Sequence, residues 1–333
     1  MSIVPNGRKT LKDYPVISPS LIIFGPVPSR RLGRSLGINN IPPKKCSYSC
    51  VYCQVGRTLQ HQVEPGTFYR PEEIRRQVVA RIEALRNRGE AIDYLSFVPD
   101  GEPTLDKNLG ETIERLRPLG VKIAVISNSS LLWRSEVRQA LKKADWVSVK
   151  VDAIDERCWR RINRPHSDLR IEWVLGGIKL FAEEYSGVLA TETMLVKGFN
   201  DNKEIITGVR DFVSSIHPVK AYLAVPTRPP AQKTIRPPGE DVITHAYHLF
   251  KEKIPEVECL IEYEGDDFSF TGNMAQDIIN IAAVHPIREE ALNRMLQKTG
   301  TDRSVVDELV GEGILAITEY QGRRFYLRRL KRQ

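Results

Sequence analysis

Three of the chain's five cysteines fall within eight residues, in the run Cys46-Ser47-Tyr48-Ser49-Cys50-Val51-Tyr52-Cys53. In a chain of 333 residues such crowding argues for a metal site in a reducing compartment rather than a disulfide framework. Thiolates are soft ligands that select zinc or iron–sulfur centres. A structural zinc site wants a fourth Cys or His at comparable spacing. None follows closely; His61 is the nearest and stands in a polar stretch without a paired ligand motif. Three thiolates on a four-iron cluster leave one iron open for a substrate or cofactor, a functional logic that a closed zinc site lacks. Cys158 and Cys259 are too far apart to form an obvious second set, and Cys158 reads best as a small buried side chain.

The spacing Cys-x3-Cys-x2-Cys, with Tyr52 directly before the last cysteine, resembles the signature loop of the radical S-adenosylmethionine (radical SAM) enzymes. The resemblance implies that Cys46, Cys50 and Cys53 ligate a [4Fe–4S] cluster. Its open iron would take the amino and carboxylate groups of S-adenosylmethionine. The reduced cluster would pass one electron to the sulfonium, releasing methionine and a 5′-deoxyadenosyl radical that abstracts hydrogen from a substrate. A low-potential donor, ferredoxin or flavodoxin, is implied with it. Tyr52 is carried over as a cofactor-side residue.

Further segments carry the likeness. Asp100-Gly101-Glu102-Pro103 resembles the family's Gly-Gly-Glu-type motif, with Asp100 in place of the first glycine. By that likeness it meets the cofactor's methionyl amino group; Gly101 permits close backbone approach, and Glu102 can accept from an ammonium. Ser127 and Asn128 stand where family members place polar groups near the ribose or carboxylate. Lys150 and Asp152 lie on one face of a strand end; Lys150 would pair with the cofactor carboxylate, and Asp152 would hold a ribose hydroxyl or substrate. Val196-Lys197-Gly198-Phe199-Asn200 resembles the segment laid along the adenine, which brings in Val196 and Gly198. Read without the family, these are a polar turn, a helix cap and a mutual ion pair. The likeness runs from about residue 24 to 230. The run Gly25-Pro26-Val27-Pro28-Ser29-Arg30-Arg31-Leu32-Gly33-Arg34-Ser35-Leu36-Gly37, together with residues 46–54, resembles a branch grouped loosely with tRNA wyosine-type synthases.

The elements that must position these residues alternate. Strands are expected at 94–98, 121–126, 146–151, 188–196 and 219–225, with helices at 106–117, 133–143, 168–184 and 201–215 between them. A first helix opens at Pro71, with Ile74, Val78, Ile82 and Leu85 as one apolar stripe. With a strand before the cysteines, the pattern gives six strands: an α/β fold, a partial (β/α)6 TIM-like barrel or an open parallel sheet. In both, chemistry gathers at the carboxyl ends of the strands. The expected organisation is an arm at 1–20, the barrel at 21–225, and a flap and accessory segment at 226–284. The five prolines of 226–238 forbid a regular helix there. A small winged-helix-like domain at 285–333, two helices and a hairpin, ends the chain.

The formal net charge is +7, and it is uneven: residues 1–60 carry nine basic and one acidic side chain, and 323–333 six basic and none acidic. Acidic groups gather at Glu256, Glu258, Glu262, Glu264, Asp266 and Asp267. Arg30, Arg31, Arg34, Lys44 and Lys45, with Arg157, Arg160, Arg161 and Arg164, and Arg228 and Arg236 among the prolines, suit a phosphate-bearing partner. Tyr48 and Trp159 could stack a splayed base or fill the barrel mouth. The leading expectation is a radical SAM enzyme acting on tRNA or another large anionic partner. The alternatives are modification of a protein, peptide or small anionic metabolite, and a nucleic-acid-binding protein with a structural metal site. No run of 18 apolar residues and no secretory leader is present, so the expected location is the cytoplasm, without a membrane partner.

Overall fold

The computed structural model describes residues 22–261, 268 and 273–329. The expected arm at 1–20 and the acidic residues Glu262, Glu264, Asp266 and Asp267 lie outside the described residues. In chain order the first part runs β1 (Ile23–Ser29), β2 (Gly33–Ile38), β3 (Lys45–Cys46), β4 (Gln60–His61), α1 (Pro71–Arg86), β5 (Tyr94–Phe97), α2 (Leu109–Leu116), β6 (Lys122–Ser127), α3 (Ser135–Leu141) and β7 (Trp146–Lys150). It continues with α4 (Glu156–Ile162), α5 (Ile171–Glu184), β8 (Val188–Met194), α6 (Lys203–Ser215), β9 (Lys220–Ala224), α7 (Glu240–Lys251) and β10 (Val257–Leu260).

Among the described residues eight strands form one sheet in the order β1-β2-β5-β6-β7-β8-β9-β10, curled into a half-barrel. All neighbours are parallel except β1, which folds back on β2. The expected α/β half-barrel is therefore present, with two more strands than the six read from the sequence. One is β1. The other is β10, which pairs in parallel with β9 after the crossover through α7. The sequence predicts a short strand at 259–263 without assigning it to this sheet; the observed strand is four residues long, half-exposed at the sheet's edge, and begins two residues earlier. The sheet thus reaches past residue 225 into the stretch set apart as accessory. Between Ala224 and Glu240 the chain takes neither helix nor strand, as the prolines require.

Strand alternation sorts the side chains. Leu36, Ile38, Leu95, Phe97, Ile123, Val125, Val147 and Val149 are buried against the helices, including the stripe Ile74, Val78, Ile82 and Leu85 of α1. The opposite parity puts Ile126, Lys150, Glu192, Met194, Ala224 and Leu260 around a cavity on the concave side. A second core lies between α8 (Met274–Val284) and the last elements: β11 (Ile287–Arg288), α9 (Glu289–Thr299), α10 (Ser304–Gly311), β12 (Leu315–Tyr320) and β13 (Arg323–Arg328). The two helices and the hairpin come where the sequence places them; β11 adds a third strand, in the order β11-β13-β12. Val27 of β1 packs on this core, and the Tyr320 hydroxyl donates to the Pro226 carbonyl at 3.2 Å, so the module sits on the half-barrel.

Glycine chemistry on α5 gives a paired test. A Cβ on Gly177 would stand 2.3 Å from Trp133 N and 2.4 Å from Leu132 C, both backbone atoms. Gly176 faces open space. Gly177→Ala is expected to destabilise the chain by about 1–3 kcal/mol, whereas Gly176→Ala is expected to be neutral or stabilising by up to about 1 kcal/mol. Urea unfolding of the two variants checks the contrast; equal effects would mean that α5 does not approach the 132–133 backbone this closely.

Candidate active site

The cysteine loop leaves β2 and is pinned at once to the end of β5. Lys44 N donates to the Asp100 carbonyl at 2.7 Å, and Glu102 N donates to the Lys45 carbonyl at 3.1 Å. A Cβ on Gly101 would lie 1.9 Å from that same Lys45 oxygen, so only glycine fits. Asp100, the residue that departs from the family motif, is buried and ion-paired with Lys44 at 3.0 Å. Burial pushes its carboxyl up and Lys44 opposes this.

Glu102 is buried, and protein donors occupy its carboxylate. Oε1 accepts from Thr104 N (3.1 Å), Thr104 Oγ1 (2.7 Å) and Ser127 Oγ (2.8 Å); Oε2 accepts from Asn128 N (2.7 Å). Burial raises its pKa against these bonds. Pro103 opens the short turn that Glu102 caps, and its carbonyl accepts from Asn40. Asn128 then reaches across: Nδ2 lies 3.4 Å from Cys46 Sγ and 3.0 Å from Ser47 Oγ. The motif residues 100–103 and 127–128 are thus brought together, and they hold the cysteine loop.

The other side of the loop rests on α4, a helix that the sequence reading missed. Asp155 caps it by accepting from Cys158 N at 2.8 Å, a signal present in the sequence but hidden among charged residues. From its C-terminal end Asn163 Nδ2 reaches Cys50 Sγ (3.5 Å), Tyr52 Oη (3.1 Å) and Asp152 Oδ2 (2.7 Å). The Tyr52 hydroxyl also donates to Asp152, whose other oxygen accepts from Met194 N at 2.8 Å. Asp152 is therefore held by Tyr52 and Asn163, not by Lys150. Lys150 instead pairs with Glu192, which pairs in turn with Arg31. Lys150 Nζ also sits 5.1 Å over the Tyr52 ring. Burial works against the charge on Glu192, but Lys150 and Arg31 hold its pKa down at about 2. Burial opposes the Lys150 charge too, and Glu192 more than offsets it. Glu192 was overlooked in the sequence, although a lone carboxylate on the inward parity of an apolar strand was the available sign.

These groups line a cavity of ≈ 230 Å³ at the carboxyl ends of the strands: Arg31, Tyr52, Cys53, Gln54, Lys150 and Glu192 with Val98, Ile126, Met194, Ala224 and Leu260, closed by residues 225–228. Arg228 Nη1 donates to Gln54 Oε1 at 2.8 Å. Val196 and Gly198 are not in this lining: Val196 is buried with its N–H on Asn200, and Gly198 is an exposed turn residue at φ 75°. Tyr48 and Trp159 fill the core edge to face, with Trp159 Nε1 donating to Tyr48 Oη at 3.1 Å, so neither is bare for a base. His61 puts Nε2 on the Ser47 carbonyl (2.9 Å) and packs on His166, not on the thiols. Among the described residues no group of three or more His, Cys, Asp or Glu is arranged to hold a single metal ion. Cys158 is buried, as expected, with its sulfur at the Phe199 carbonyl.

Burial raises all three loop thiols: Cys46 well up, Cys50 to about 12, and Cys53 more modestly because Lys44 and Lys150 pull it down. A metal group must displace these protons, and the amides at Cys46 and Cys50 then face sulfur anions. Three thiols supported by amides and nearby cations, one of them opening on a cavity, fit a cluster with a corner left for another ligand.

The sequence matches the Radical SAM superfamily model over residues 40–207. The chain belongs to the radical SAM superfamily. It is 47% identical over 312 residues to a UPF0026 protein of Methanocaldococcus jannaschii, covering 93% of this chain and 97% of that protein, which places it in the UPF0026 family. Its fold is similar to that of Streptococcus suis SuiB bound to precursor peptide SuiA, at 12% identity and a TM-score of 0.52, covering 81% of this chain and 65% of that one. A structure of TYW1 with a lysine–pyruvate adduct matches at 18% identity and a TM-score of 0.49, over 66% of this chain and 74% of that one. Members of the superfamily are enzymes that generally bind a [4Fe–4S] cluster and S-adenosylmethionine. No helix among the described residues is long and apolar enough to cross a membrane.

Replacing Glu192 with Gln removes the carboxylate that Lys150 and Arg31 share and is expected to cost about 3 kcal/mol at neutral pH. The wild-type carboxyl, held at about 2, takes its proton at lower pH than in the unfolded chain. Its contribution is whole above the unfolded value of about 4.3 and fades as the pH falls toward 2. Urea titrations should therefore show a wild-type-to-variant gap that is constant from pH 7 to about pH 5 and narrows below. A pH-independent gap would assign the cost to shape instead of charge.

Proposed function

We propose that the chain is a radical SAM enzyme in which Cys46, Cys50 and Cys53 hold a [4Fe–4S] cluster and the cavity beside Cys53 takes S-adenosylmethionine and the reacting part of the substrate. The observation that supports it is the joint placement of the thiol loop and the cavity at the carboxyl ends of the parallel strands, with Cys53 in the lining. When bound, the cluster and cofactor supply one-electron cleavage of a sulfonium to methionine and a hydrogen-abstracting 5′-deoxyadenosyl radical. The chain's own residues orient and enclose. Glu102, Ser127 and Asn128 fix the loop; Gly101 gives the backbone its close approach; Tyr52 lines the cavity and is held through its hydroxyl by Asp152 and Asn163. The Lys150–Glu192–Arg31 group presents fixed charges to a polar ligand without having to reorganise. A low-potential donor provides the electron.

The substrate we favour is tRNA or another large anionic partner. Among the described residues of the cavity lining, Arg31, Lys150 and Arg228 outnumber the single carboxylate Glu192. The exposed Arg323 and Arg324 stand on the hairpin whose Tyr320 bonds to the cavity-lining segment.

Anaerobic reconstitution with iron and sulfide should give about four irons per chain. With dithionite, the loaded protein should release 5′-deoxyadenosine and methionine from S-adenosylmethionine. Cys50→Ala should abolish release by removing a ligand. A single tetrahedral zinc and no release would overturn the assignment. For the substrate, tRNA binding should weaken by at least about tenfold between 50 and 200 mM salt, followed by filter retention. Salt-independent binding, or none, would turn the search to peptides and metabolites.

A further inference from the structure

Five cations ring the outer side of the cysteine loop: Arg161, Arg164, Lys197, Lys233 and Arg236, all exposed. They are stitched together through the backbone. Arg161 Nη2 donates to the Gly198 carbonyl at 3.2 Å, next to Lys197. Lys197 N donates to the Arg236 carbonyl at 3.0 Å, and Arg236 Nη1 to the Lys233 carbonyl at 2.6 Å. Beside Lys233, the Gln232 side chain, oriented to satisfy both its ends, accepts from Arg164 Nη1 at 2.8 Å. Among the described residues none of the five makes an ion pair, so the ring keeps its whole charge.

The ring grips the loop directly. Ser49 N donates to the carbonyls of Asn163 (3.0 Å) and Arg164 (3.1 Å), Val51 N to Ile162 (2.9 Å), and Gln232 N to Val51 (3.1 Å). Asn163, the neighbour of Arg164, touches Cys50 Sγ at 3.5 Å. Yet none of the five cations lines the cavity. A substrate must reach the cavity, whereas an electron can cross the loop through bonded atoms. The aromatic rings within reach, Phe199 and Tyr320, already lie under Arg161 and Arg236 at 5.0 and 5.7 Å, which removes the stacking surface that RNA bases use.

We propose that this ring docks an acidic one-electron carrier protein. The inference rests on the reading that Cys50 helps hold a [4Fe–4S] cluster. One electron leaves the carrier's reduced group, oxidising it by one unit, and enters the cluster, reducing it by one; no bond is made or broken. Unpaired like charges in solvent attract such a partner from a distance and orient it, an effect that salt screens.

The test uses the full chain carrying R161Q/R164Q/K233Q/R236Q, with reduced flavodoxin as the probe. Stopped-flow bleaching of the cluster by flavodoxin is expected to slow by at least about tenfold at low salt and to lose most of its salt dependence. Dithionite-driven release of 5′-deoxyadenosine is expected to stay unchanged. Calorimetric titration of flavodoxin into the same proteins should show the loss of binding whether or not cluster is present. The double reversal K233E/R236E, in a segment outside the sheet, should act in the same direction and guards against a folding defect. Wild-type rates and binding in both variants would overturn the proposal, as would a loss of tRNA binding with flavodoxin untouched. If dithionite drives no cleavage in the wild type, the function assigned above fails instead, and a calorimetric loss in the variants still supports the surface.

Discussion

Everything at the carboxyl end of the sheet depends on one buried carboxylate. Glu102 accepts from Thr104 on its own turn and from Ser127 and Asn128 at the end of the next strand, so a single side chain ties β5 to β6. Stripping an ionised carboxylate of water is costly unless donors replace that water; here four bonds do so, which is why burial raises its pKa without leaving it unsatisfied. The tie also decides where Asn128 stands, and Asn128 touches both Cys46 and Ser47. The loop is thus set by the sheet rather than by its own polar residues.

The concave face repeats the solution with opposite charges. A half-barrel that gathers ligands at its strand ends must place polar groups where strands are otherwise apolar. Lys150 and Glu192 do this from adjacent strands at paired positions, with Arg31 arriving from the turn between β1 and β2. Each charge is the other's solvent, and both stay ionised. The cavity therefore offers a rigid pattern of charge instead of mobile side chains.

Much of this was legible in the sequence. Cysteine spacing, the turn at 100–103, the alternation of strands and helices and the α1 stripe all depend on local rules, and local rules survive folding. What escaped reading was non-local. Glu192 looks like any strand carboxylate until its two cations arrive from residues far away in the chain. Asn163 gains meaning only when α4 lies against the loop. Val196 and Gly198 resemble a cofactor segment by composition; β8 reaches the cavity with Glu192 and Met194, but these two residues past its end are not in the lining. The strand β10 is legible only in part: the sequence predicts a short strand at 259–263, and the pairing with β9 moves it to Val257–Leu260. Alternation predicts one face for Lys150 and Asp152; β7 ends at Lys150 with Asp152 just past it, and parity alone could not say that each would find a different partner.

The first strand has a further consequence. It closes one margin of the sheet with a register break between Phe24 and Val27 and with prolines at 26 and 28, which carry no N–H, while the α8 side of the terminal module lies across it. A ladder offered there to another copy of the chain would be irregular and short of donors. The half-barrel is open toward its ligands but shut at this margin against growth by strand addition, which guards it from aggregating into longer sheets.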